Sequence, residues 1–503
     1  MWNNYSRKTM SQNFLSYNRH QQFLLPLSSD EFIPQHHLAR VIEAIIDELD
    51  LRELYGAYAD EGRPAYHPKM LLTLLIYSYA IGVRSSRKIA QRLESDLVYL
   101  YLSGLQRPDF RTISDFRKRH LAMFKKLFKQ TVMLCHQVGM VTVGHIAIDG
   151  TKIDACASRS ERYTAERLAK LEQTVEQRIE ELLSAAEETD RAEDATYGER
   201  GSAVQVPEEL ADAKRLQGKI KAAKKYLEDH TLTKVNLTDF DARVMKTGSG
   251  GWEDGYNAQA AIDAHEQIIV AADVVSDQHD KHQFIPVYEQ AVENLGGVVP
   301  AEVSADAGYP SNAVYEYIKR HHITALMPDQ QFRQEVKNGQ EQLAPFDRRM
   351  FRHDSATQMI TCPAGEFMEF QQNEKRDGIV HAVYCGTACA KCVHRQECIT
   401  KKNMSARTIY ISELDSVIQN IRKILMSDEG WCRYLKRLST VEAVFGQLKR
   451  QLGFTYFLLR GREKASGEFH LMCLVHNLRK LARKLGAQMS TALRGIRLQV
   501  QRA

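Results

Sequence analysis

The sequence predicts an α/β protein in which a mixed sheet follows an all-helical N-terminal region. A short apolar run ends on Asp149 and Gly150, and the same order of apolar run, acid and glycine returns at Asp306 and Gly308. Strand and helix patterns alternate through this part of the chain, as is typical of α/β sheets. Before it, apolar residues recur at helical spacing, which predicts a bundle of helices.

The N-terminal helices are predicted one by one. Residues 1–35 resemble a loose leader. Apolar spacing predicts a helix over 37–51, and a second helix over Lys69–Ile81 is apolar nearly all round and therefore buried. Ser85 or Ser86 is placed to cap the helix that follows.

Basic residues cluster where the later N-terminal helices begin. Short helices joined by tight basic turns are typical of helix-turn-helix DNA-binding domains, although a plain helical bundle would show the same apolar spacing. The candidates for DNA contact in this region are Arg84, Arg87, Lys88, Arg111, Arg117 and Lys118.

A long polar stretch at 160–235 interrupts the α/β pattern. Apolar stripes predict helices over 162–186 and 208–228, joined by a polar linker at 187–206. The two helices would pair as an antiparallel hairpin and project as an arm. We expect this arm to be structural or dimerising, and not catalytic.

The sheet resumes after the arm. Its order places Asp149 and Asp306 at the carboxyl ends of strands, where open α/β sheets bind ligands. The predicted elements are strands 256–263 and 267–275, helix 283–295, strand 301–306, helix 312–319 and strand 323–327, followed after a Cys-rich interruption by helices 411–426, 431–451 and 464–486.

Composition and charge narrow the functional class. The 503 residues are 44% hydrophobic and 26% charged, as in a globular protein, and neither a membrane span nor a secretory signal is visible. Residues 401–503 carry 20 Lys and Arg against 7 Asp and Glu, a local +13, whereas residues 151–210 carry 8 against 15, or −7. Basic ends around an acidic middle indicate a polyanionic partner such as nucleic acid, and solvated helix faces would give the same counts.

Five of the nine cysteines crowd into 362–398. An odd count in one cluster favours a reduced compartment and a metal site over a disulfide framework. We predict a tetrahedral structural zinc site, with free thiols in a loop-rich insert as the alternative. Cys385 is the spare thiol and His394 a lesser candidate. The four predicted ligands are Cys362, Cys389, Cys392 and Cys398.

A third acid, Glu442, lies in a helical pattern with Lys449 seven residues later, so a regular helix would carry both on one face. Two acids at strand ends and one on a helix can converge on a pair of divalent metal ions, the arrangement that oxygen-ligand sites use in phosphodiester chemistry.

Several separated motifs, in order, resemble the signatures of bacterial insertion-sequence DDE transposases, the group with a ribonuclease-H-like core and an N-terminal helical transposase domain. The resemblance runs from about residue 35 to about residue 485. The motifs are Asp149-Gly-Thr-Lys, Gly255-Tyr-Asn-Ala-Gln, Ala305-Asp-Ala-Gly-Tyr, Val441-Glu-Ala-Val-Phe-Gly-Gln-Leu-Lys, Arg460-Gly-Arg and His476-Asn-Leu.

The resemblance implies that Asp149, Asp306 and Glu442 are catalytic and bind Mg²⁺ or Mn²⁺, with Lys449 beside them. Tyr434 and Arg437 resemble the tyrosine and arginine that precede the glutamate, and Arg437 is a further candidate for DNA contact. Here four residues separate Arg437 from Glu442, where the best-known pattern has three. A set that surrounds the metals or faces DNA would comprise Asp241, Arg243, Tyr256, Asn257 and Gln259.

The implied function is binding of an element's terminal inverted repeats, metal-dependent DNA cleavage and strand transfer. The partners would be double-stranded repeat and target DNA and a second copy of the chain, in a homodimer or larger assembly. The expected location is the bacterial cytoplasm, at the nucleoid. The rival functions are a domesticated, non-catalytic DNA-binding protein and a DDE-like nuclease that cuts without joining.

The predicted domain order places the catalytic core in two pieces. The ranges are 1–135 for the helical DNA-binding domain, 140–330 for the first part of the core with its arm at 160–235, 331–410 for the Cys-rich insertion, and 411–503 for the C-terminal helical part that carries the glutamate.

Overall fold

The computed structural model describes residues 29–58, 64–197, 208–246, 250–337, 345–354, 357, 359–376, 378–399 and 404–485. The α-helices are α1 Leu38–Asp47, α2 Arg52–Gly56, α3 Pro68–Ala80, α4 Ser86–Ser95, α5 Leu97–Leu102, α6 Phe110–Arg119, α7 Leu121–Gln137, α8 Ala165–Tyr197, α9 Glu208–Asp229, α10 Phe284–Asn294, α11 Asn312–His321, α12 Gln330–Lys337, α13 Arg395–Cys398, α14 Asp415–Leu425, α15 Asp428–Gly446 and α16 Arg462–Leu485. The strands are β1 His145–Asp154, β2 Arg162–Tyr163, β3 Val235–Asn236, β4 Arg243–Lys246, β5 Trp252–Asp263, β6 Ile268–Val275, β7 Glu302–Ser304, β8 Ala325–Leu326, β9 Arg352–Asp354, β10 Met359–Thr361, β11 Phe367–Arg376, β12 Ile379–Gly386 and β13 Thr408–Ser412.

The central sheet is mixed, and with the helical N-terminal region it confirms the predicted α/β class. Its strand order is β4-β5-β1-β7-β8, and β6 also pairs with β5. β1 lies antiparallel to β5 and parallel to β7. Hence β1 is the strand on which the two pairing directions meet.

β1 is longer than the predicted strand, which was expected to end at Asp149. It continues to Asp154 because its backbone stays paired with β5, with Asp154 opposite Gly255. Asp149 therefore lies inside β1, not at its carboxyl end. The parallel pairing with β7 does stop before the acid, at Ala147 opposite Ser304.

Helix α16 joins the helical region to the sheet. It is buried nearly all round along its middle turns, where apolar side chains alternate with a few buried polar ones, and it packs against α3, α7 and β6. Its Asn477 side chain bonds both backbone groups of Ile269 on β6, accepting from the amide at 3.0 Å and donating to the carbonyl at 2.8 Å. The asparagine thus satisfies backbone groups that have no strand partner there.

The predicted helical hairpin at 160–235 is formed by α8 and α9. Arg178 bonds Glu209, and Glu172 bonds Lys224, so the helices run antiparallel. Their apolar contacts form a cluster separate from the main core. α8 reaches Tyr197, so residues 187–197 are helical and not linker as predicted, because this stretch is rich in Ala and Glu. The rest of the predicted linker lies outside the described residues.

The Cys-rich region contains an antiparallel sheet, β9 to β13, that the sequence analysis did not predict. The strand pattern was hidden because most side chains of β11 are exposed on both faces. Its buried apolar cluster is small and comprises Phe351, Ile360, Met368, Tyr384 and Ile409.

Two further predictions from the sequence concern a loose N-terminal leader and the absence of a membrane-spanning segment. Most of the predicted leader, residues 1–28, lies outside the described residues. None of the helices in the described ranges combines the length and apolar composition that crossing a membrane requires.

Candidate active site

The parallel register of β1 and β7 places Asp149 and Asp306 at the same height along the two strands. The pairing ends at Ala147 and Ser304, and each acid stands two residues beyond that end. Each carboxylate also accepts a nearby backbone amide at 2.8 Å, Asp149 from Gly150 and Asp306 from Gly308. These bonds fix the orientation of both side chains.

Two glycines keep the space around the acids open. A Cβ on Gly150 would stand 2.8 Å from Asn257 Oδ1 and 2.8 Å from Asp280 Oδ1. A Cβ on Gly308 would stand 3.0 Å from Asp306 Oδ1 and 3.6 Å from Asp280 Oδ2. Any larger residue at Gly150 would therefore collide with the polar groups that surround the acids.

Arg437 of α15 is the direct partner of Asp149. Its Nη1 donates to Asp149 Oδ2 at 2.7 Å, and its guanidinium lies 5.7 Å from the centre of the Tyr434 ring. Burial raises the pKa of Asp149 to about 6, Arg437 opposes that rise, and the negative charge of Asp306 adds to it. The charge of Asp306 therefore acts on Asp149, which places the two acids in one site.

Glu442 and Lys449 do not join this pair of acids directly. Glu442 is exposed on α15 and makes no side-chain hydrogen bond or ion pair with the residues that the structure describes. Lys449 lies in a π-helical turn, Gln447–Gln451, and donates to the backbone carbonyl of Lys152 at 2.8 Å. The helix is therefore not regular over the whole interval from Glu442 to Lys449.

Asp280 is a site residue that the sequence analysis missed. It precedes α10, and its Oδ1 accepts Asn257 Nδ2 at 2.7 Å and Gln259 Nε2 at 2.6 Å. Lys152 Nζ lies 3.6 Å from the same oxygen. A signal was present on β5, because Asn257 and Gln259 interrupt its buried stretch at 256–262 and need a polar partner when buried.

The donor set suits a hard divalent cation. Carboxylate and amide oxygens are the ligands of Mg²⁺ and Mn²⁺, and Asn257 Oδ1 is buried without a hydrogen-bond partner beside Gly150. As the side chains stand in the described ranges, no three of His, Cys, Asp and Glu are close enough together to hold one ion. The residues fit such a cation in chemistry and in open space.

A basic patch lies on α4 and α6 and comprises the exposed residues Arg87, Lys88, Arg111 and Lys118. The partly exposed ring of Phe110 lies between two of them, 5.0 Å from the Arg87 guanidinium and 5.8 Å from that of Arg111. Cations held against an aromatic ring at the surface present a preorganised positive charge.

Arg84 and Arg117, which were predicted to contact DNA, lie inside the protein, and that prediction is wrong. They are 6% and 5% exposed. Arg117 donates to Tyr79 Oη at 2.9 Å and to the Arg84 carbonyl at 3.0 Å, and Arg84 lies 3.7 Å from the fully buried Glu468 of α16. Burial raises the pKa of Glu468 and the two arginines oppose that rise, so they are its internal counter-charges.

The residues around Asp241 hold the chain together at the start of α16. Asp241 Oδ2 accepts the amide of Arg462 at 2.8 Å, and Tyr256 donates to Asp239 Oδ1 at 2.7 Å. Asp239 Oδ2 accepts the amide of Gly461 at 3.0 Å. Asp241 therefore binds the Arg460-Gly-Arg segment of the protein itself, and Tyr256 is connected to the same segment through Asp239.

The four cysteines predicted to bind zinc line one pocket, together with Phe351, Arg395 and Arg407, whereas Cys385 does not line it. Burial raises the pKa of Cys398, and the other three cysteines of the set add to the rise. The backbone amide of Arg407 donates to Cys389 Sγ at 3.5 Å.

Two family models match the chain. One, described as Transposase DDE domain, matches residues 361–482, a range that includes Glu442 and Lys449. The other, described as Transposase domain (DUF772), matches residues 27–119. No curated protein matches the chain.

The buried arginines yield a stability prediction. Arg117→Met should lower the free energy of unfolding by about 3–5 kcal/mol, because it removes a counter-charge of buried Glu468 and a donor to Tyr79. Arg87→Met, at an exposed position, should change it by less than about 0.5 kcal/mol. Urea denaturation of both variants measures the difference, and equal stabilities would contradict the internal role of Arg117.

Proposed function

We propose that the chain is a transposase that binds the terminal inverted repeats of an insertion sequence and catalyses DNA cleavage and strand transfer. The matches to a transposase DDE domain at 361–482 and to an N-terminal transposase domain at 27–119 support this. A DDE domain implies phosphoryl transfer. The proposed core is ribonuclease-H-like, formed by the predicted pieces 140–330 and 411–503, with the N-terminal piece 1–135 as the DNA-binding domain and 331–410 as the Cys-rich insertion.

One observation carries this proposal. Asp149 and Asp306 stand level at the end of the parallel β1–β7 pairing, and glycines keep their surroundings open. The proposed ligands of Mg²⁺ or Mn²⁺ are these two acids and Glu442, from the same helix as Arg437. Bound there, the metal supplies a Lewis acid that lowers the pKa of the attacking water or 3′-hydroxyl and stabilises the leaving oxygen.

The chain's own cations act on the acids and on the DNA phosphates. Arg437 is as buried as Arg84, at 6% exposed, and its Nη1 donates to Asp149 at 2.7 Å, so its role in the proposed reaction is to hold and neutralise that acid and not to contact DNA. Lys449 is held by the Lys152 carbonyl at 2.8 Å on the same strand as Asp149, and its ammonium serves as a point charge for the backbone beside the scissile bond. The basic patch on α4 and α6 holds duplex DNA by its phosphates.

Cleavage of a labelled duplex carrying the element's flanking repeat, with Mg²⁺ or Mn²⁺, tests the proposed activity. Wild type should cut at the repeat end. Asp306→Asn should bind the duplex with unchanged affinity and lose at least about a thousandfold in cleavage rate, because it removes a carboxylate that is needed for transition-state stabilisation. Joining of a pre-cut 3′ end, assayed separately, distinguishes a transposase from a nuclease.

The outcomes separate the rival functions. Binding without cleavage by wild type, with either metal, would favour a non-catalytic DNA-binding protein. Cutting without joining would favour the DDE-like nuclease. Cleavage by Asp306→Asn at the wild-type rate would contradict the assignment of the acids. Two repeat ends must be brought together in strand transfer, so we propose a dimer or a larger assembly on DNA.

The basic patch gives a separate prediction. Replacing Arg87 and Arg111 with Ala should lower repeat affinity about tenfold to a hundredfold and reduce the slope of log K against log salt by about 2, since two phosphate contacts are lost. Electrophoretic mobility shifts at several salt concentrations measure both. The matched control replaces exposed Lys125 and Lys126 of α7, and an equal loss there would show that the patch has no special role.

We also propose that Cys362, Cys389, Cys392 and Cys398 bind one structural Zn²⁺. Their convergence on one pocket supports this, as does the small apolar cluster of the region, which is too limited to hold a five-stranded sheet by packing alone. Bonding of the Arg407 amide to Cys389 Sγ would help to stabilise a thiolate.

Metal analysis of the purified full chain tests the zinc proposal. Wild type should contain about one zinc per chain, and Cys392→Ser should lose it, because a closed tetrahedral site needs all four ligands. Cys385→Ser, the matched control, should keep it. A wild type free of zinc after purification without chelators, or loss of zinc in Cys385→Ser with retention in Cys392→Ser, would contradict the proposed ligand set.

A further inference from the structure

We propose that Asp280 is a metal ligand of the active site and that its Oδ2, together with Asp306, binds a divalent cation. The inference rests on the proposed metal-dependent function and adds a fourth acid to it. Asp280 belongs to none of the motifs that carry the resemblance to transposases. It is reached only through its contacts.

The first argument is position. A Cβ on Gly308 would stand 3.0 Å from Asp306 Oδ1 and 3.6 Å from Asp280 Oδ2, so the two carboxylates flank the same empty volume. Asp280 Oδ1 lies 2.8 Å from the corresponding point above Gly150, which Gln259 Nε2 approaches still more closely. Asp280 therefore borders the space beside Gly308 with one oxygen and joins the polar cluster against Gly150 with the other. Glu442, in contrast, is exposed and has no side-chain partner among the described residues.

The second argument is the way in which Asp280 is held. Asn257 and Gln259, both fully buried on β5, donate to Asp280 Oδ1 at 2.7 and 2.6 Å. Gln259 is oriented in turn by Tyr309, whose hydroxyl donates to Gln259 Oε1 at 2.5 Å. Metal-ligating carboxylates are commonly fixed in this way, with one oxygen bonded to surrounding donors and the other free for the ion.

The third argument is that buried polar atoms next to Asp280 lack hydrogen-bond partners. Asn257 Oδ1 is buried, has no hydrogen-bond partner and faces the space above Gly150. Lys152 Nζ is also buried without a hydrogen-bond partner and lies 3.6 Å from Asp280 Oδ1. A buried acceptor without a donor is costly unless a cation or its bound water satisfies it. The two amides of one motif thus bond directly to Asp280, and the tyrosine of another motif is connected to it through Gln259.

Binding of Mn²⁺ alone to the full-length chain tests this role, measured by electron paramagnetic resonance. Asp280→Asn should weaken Mn²⁺ binding at least tenfold, because the amide keeps an acceptor for the β5 donors but loses the anionic ligand. Asp277→Asn, a matched change of an exposed acid in the same loop, should bind Mn²⁺ within twofold of wild type. Thermal unfolding of both variants checks that the chain is folded.

Two further variants keep the test decisive. Asp280→Cys should cleave DNA with Mn²⁺ and lose cleavage with Mg²⁺, since a thiolate ligates the softer ion and a merely structural role would show no dependence on the metal. Gly308→Ala should weaken Mn²⁺ binding by placing a methyl group between Asp280 and Asp306. Gly446→Ala, where a Cβ meets nothing within 4 Å, is its control.

The failure of this inference is distinguishable from failure of the proposed function. Wild-type Mn²⁺ affinity in Asp280→Asn, with binding lost in Asp306→Asn, would overturn the role of Asp280 alone. Wild-type affinity in both variants, or no Mn²⁺ binding by the wild type, would overturn the proposed metal site as a whole and Asp280 with it.

Discussion

The parallel pairing of β1 with β7 is the constraint on which the site depends. A parallel register aligns residues at equal distances along both strands, so ending the pairing at Ala147 and Ser304 sets Asp149 and Asp306 level. β1 then continues against β5, which carries the buried amides Asn257 and Gln259. Pairing with β7 on one edge of β1 thus sets the position of Asp149 relative to Asp306. Pairing with β5 on the other edge brings the buried amide side chains alongside β1. A slip of one residue in either register would turn these groups to the opposite face.

The helical region is bound to this sheet through a buried charge. Glu468 lies on α16, which packs on β6, and its counter-charges Arg84 and Arg117 come from the N-terminal helices. Removing either side of such a cluster leaves an uncompensated charge in the interior, so the contact is specific even where its net contribution to stability is small. The exposed patch on α4 and α6 is therefore carried on a surface with a defined orientation relative to the acids.

Sequence reasoning predicted the features that follow from local pattern and missed those that need a partner. Apolar periodicity predicted the helices, the β5–β6 hairpin and the strand-acid-glycine segments. It could do so because the buried, apolar positions of a helix or strand recur at a fixed interval along the sequence. It could not separate Arg84 from Arg87, since a basic residue in a turn has the same appearance whether it faces solvent or a buried glutamate. Nor could it find Asp280, whose role arises from contacts with residues more than twenty positions away. The length of β1 was underestimated for a related reason. Its polar residues after Asp149 give no apolar pattern, but their backbone stays paired with β5.

The cations of the site explain how several carboxylates stand together. Burial raises the pKa of Asp149, and the negative charge of Asp306 adds to the rise, so bringing these acids together costs free energy unless positive charge is nearby. Arg437 supplies it at Asp149, and Lys152 supplies it near Asp280, where burial lowers the pKa of the lysine and the acid opposes that change. Both cations are enclosed in the site, because Arg437 is 6% exposed and Lys152 Nζ is buried. The acids beside them are held by backbone amides and by the amide side chains of β5. A divalent cation proposed at these carboxylates would therefore have to compete with Arg437 and Lys152 for the same negative charge.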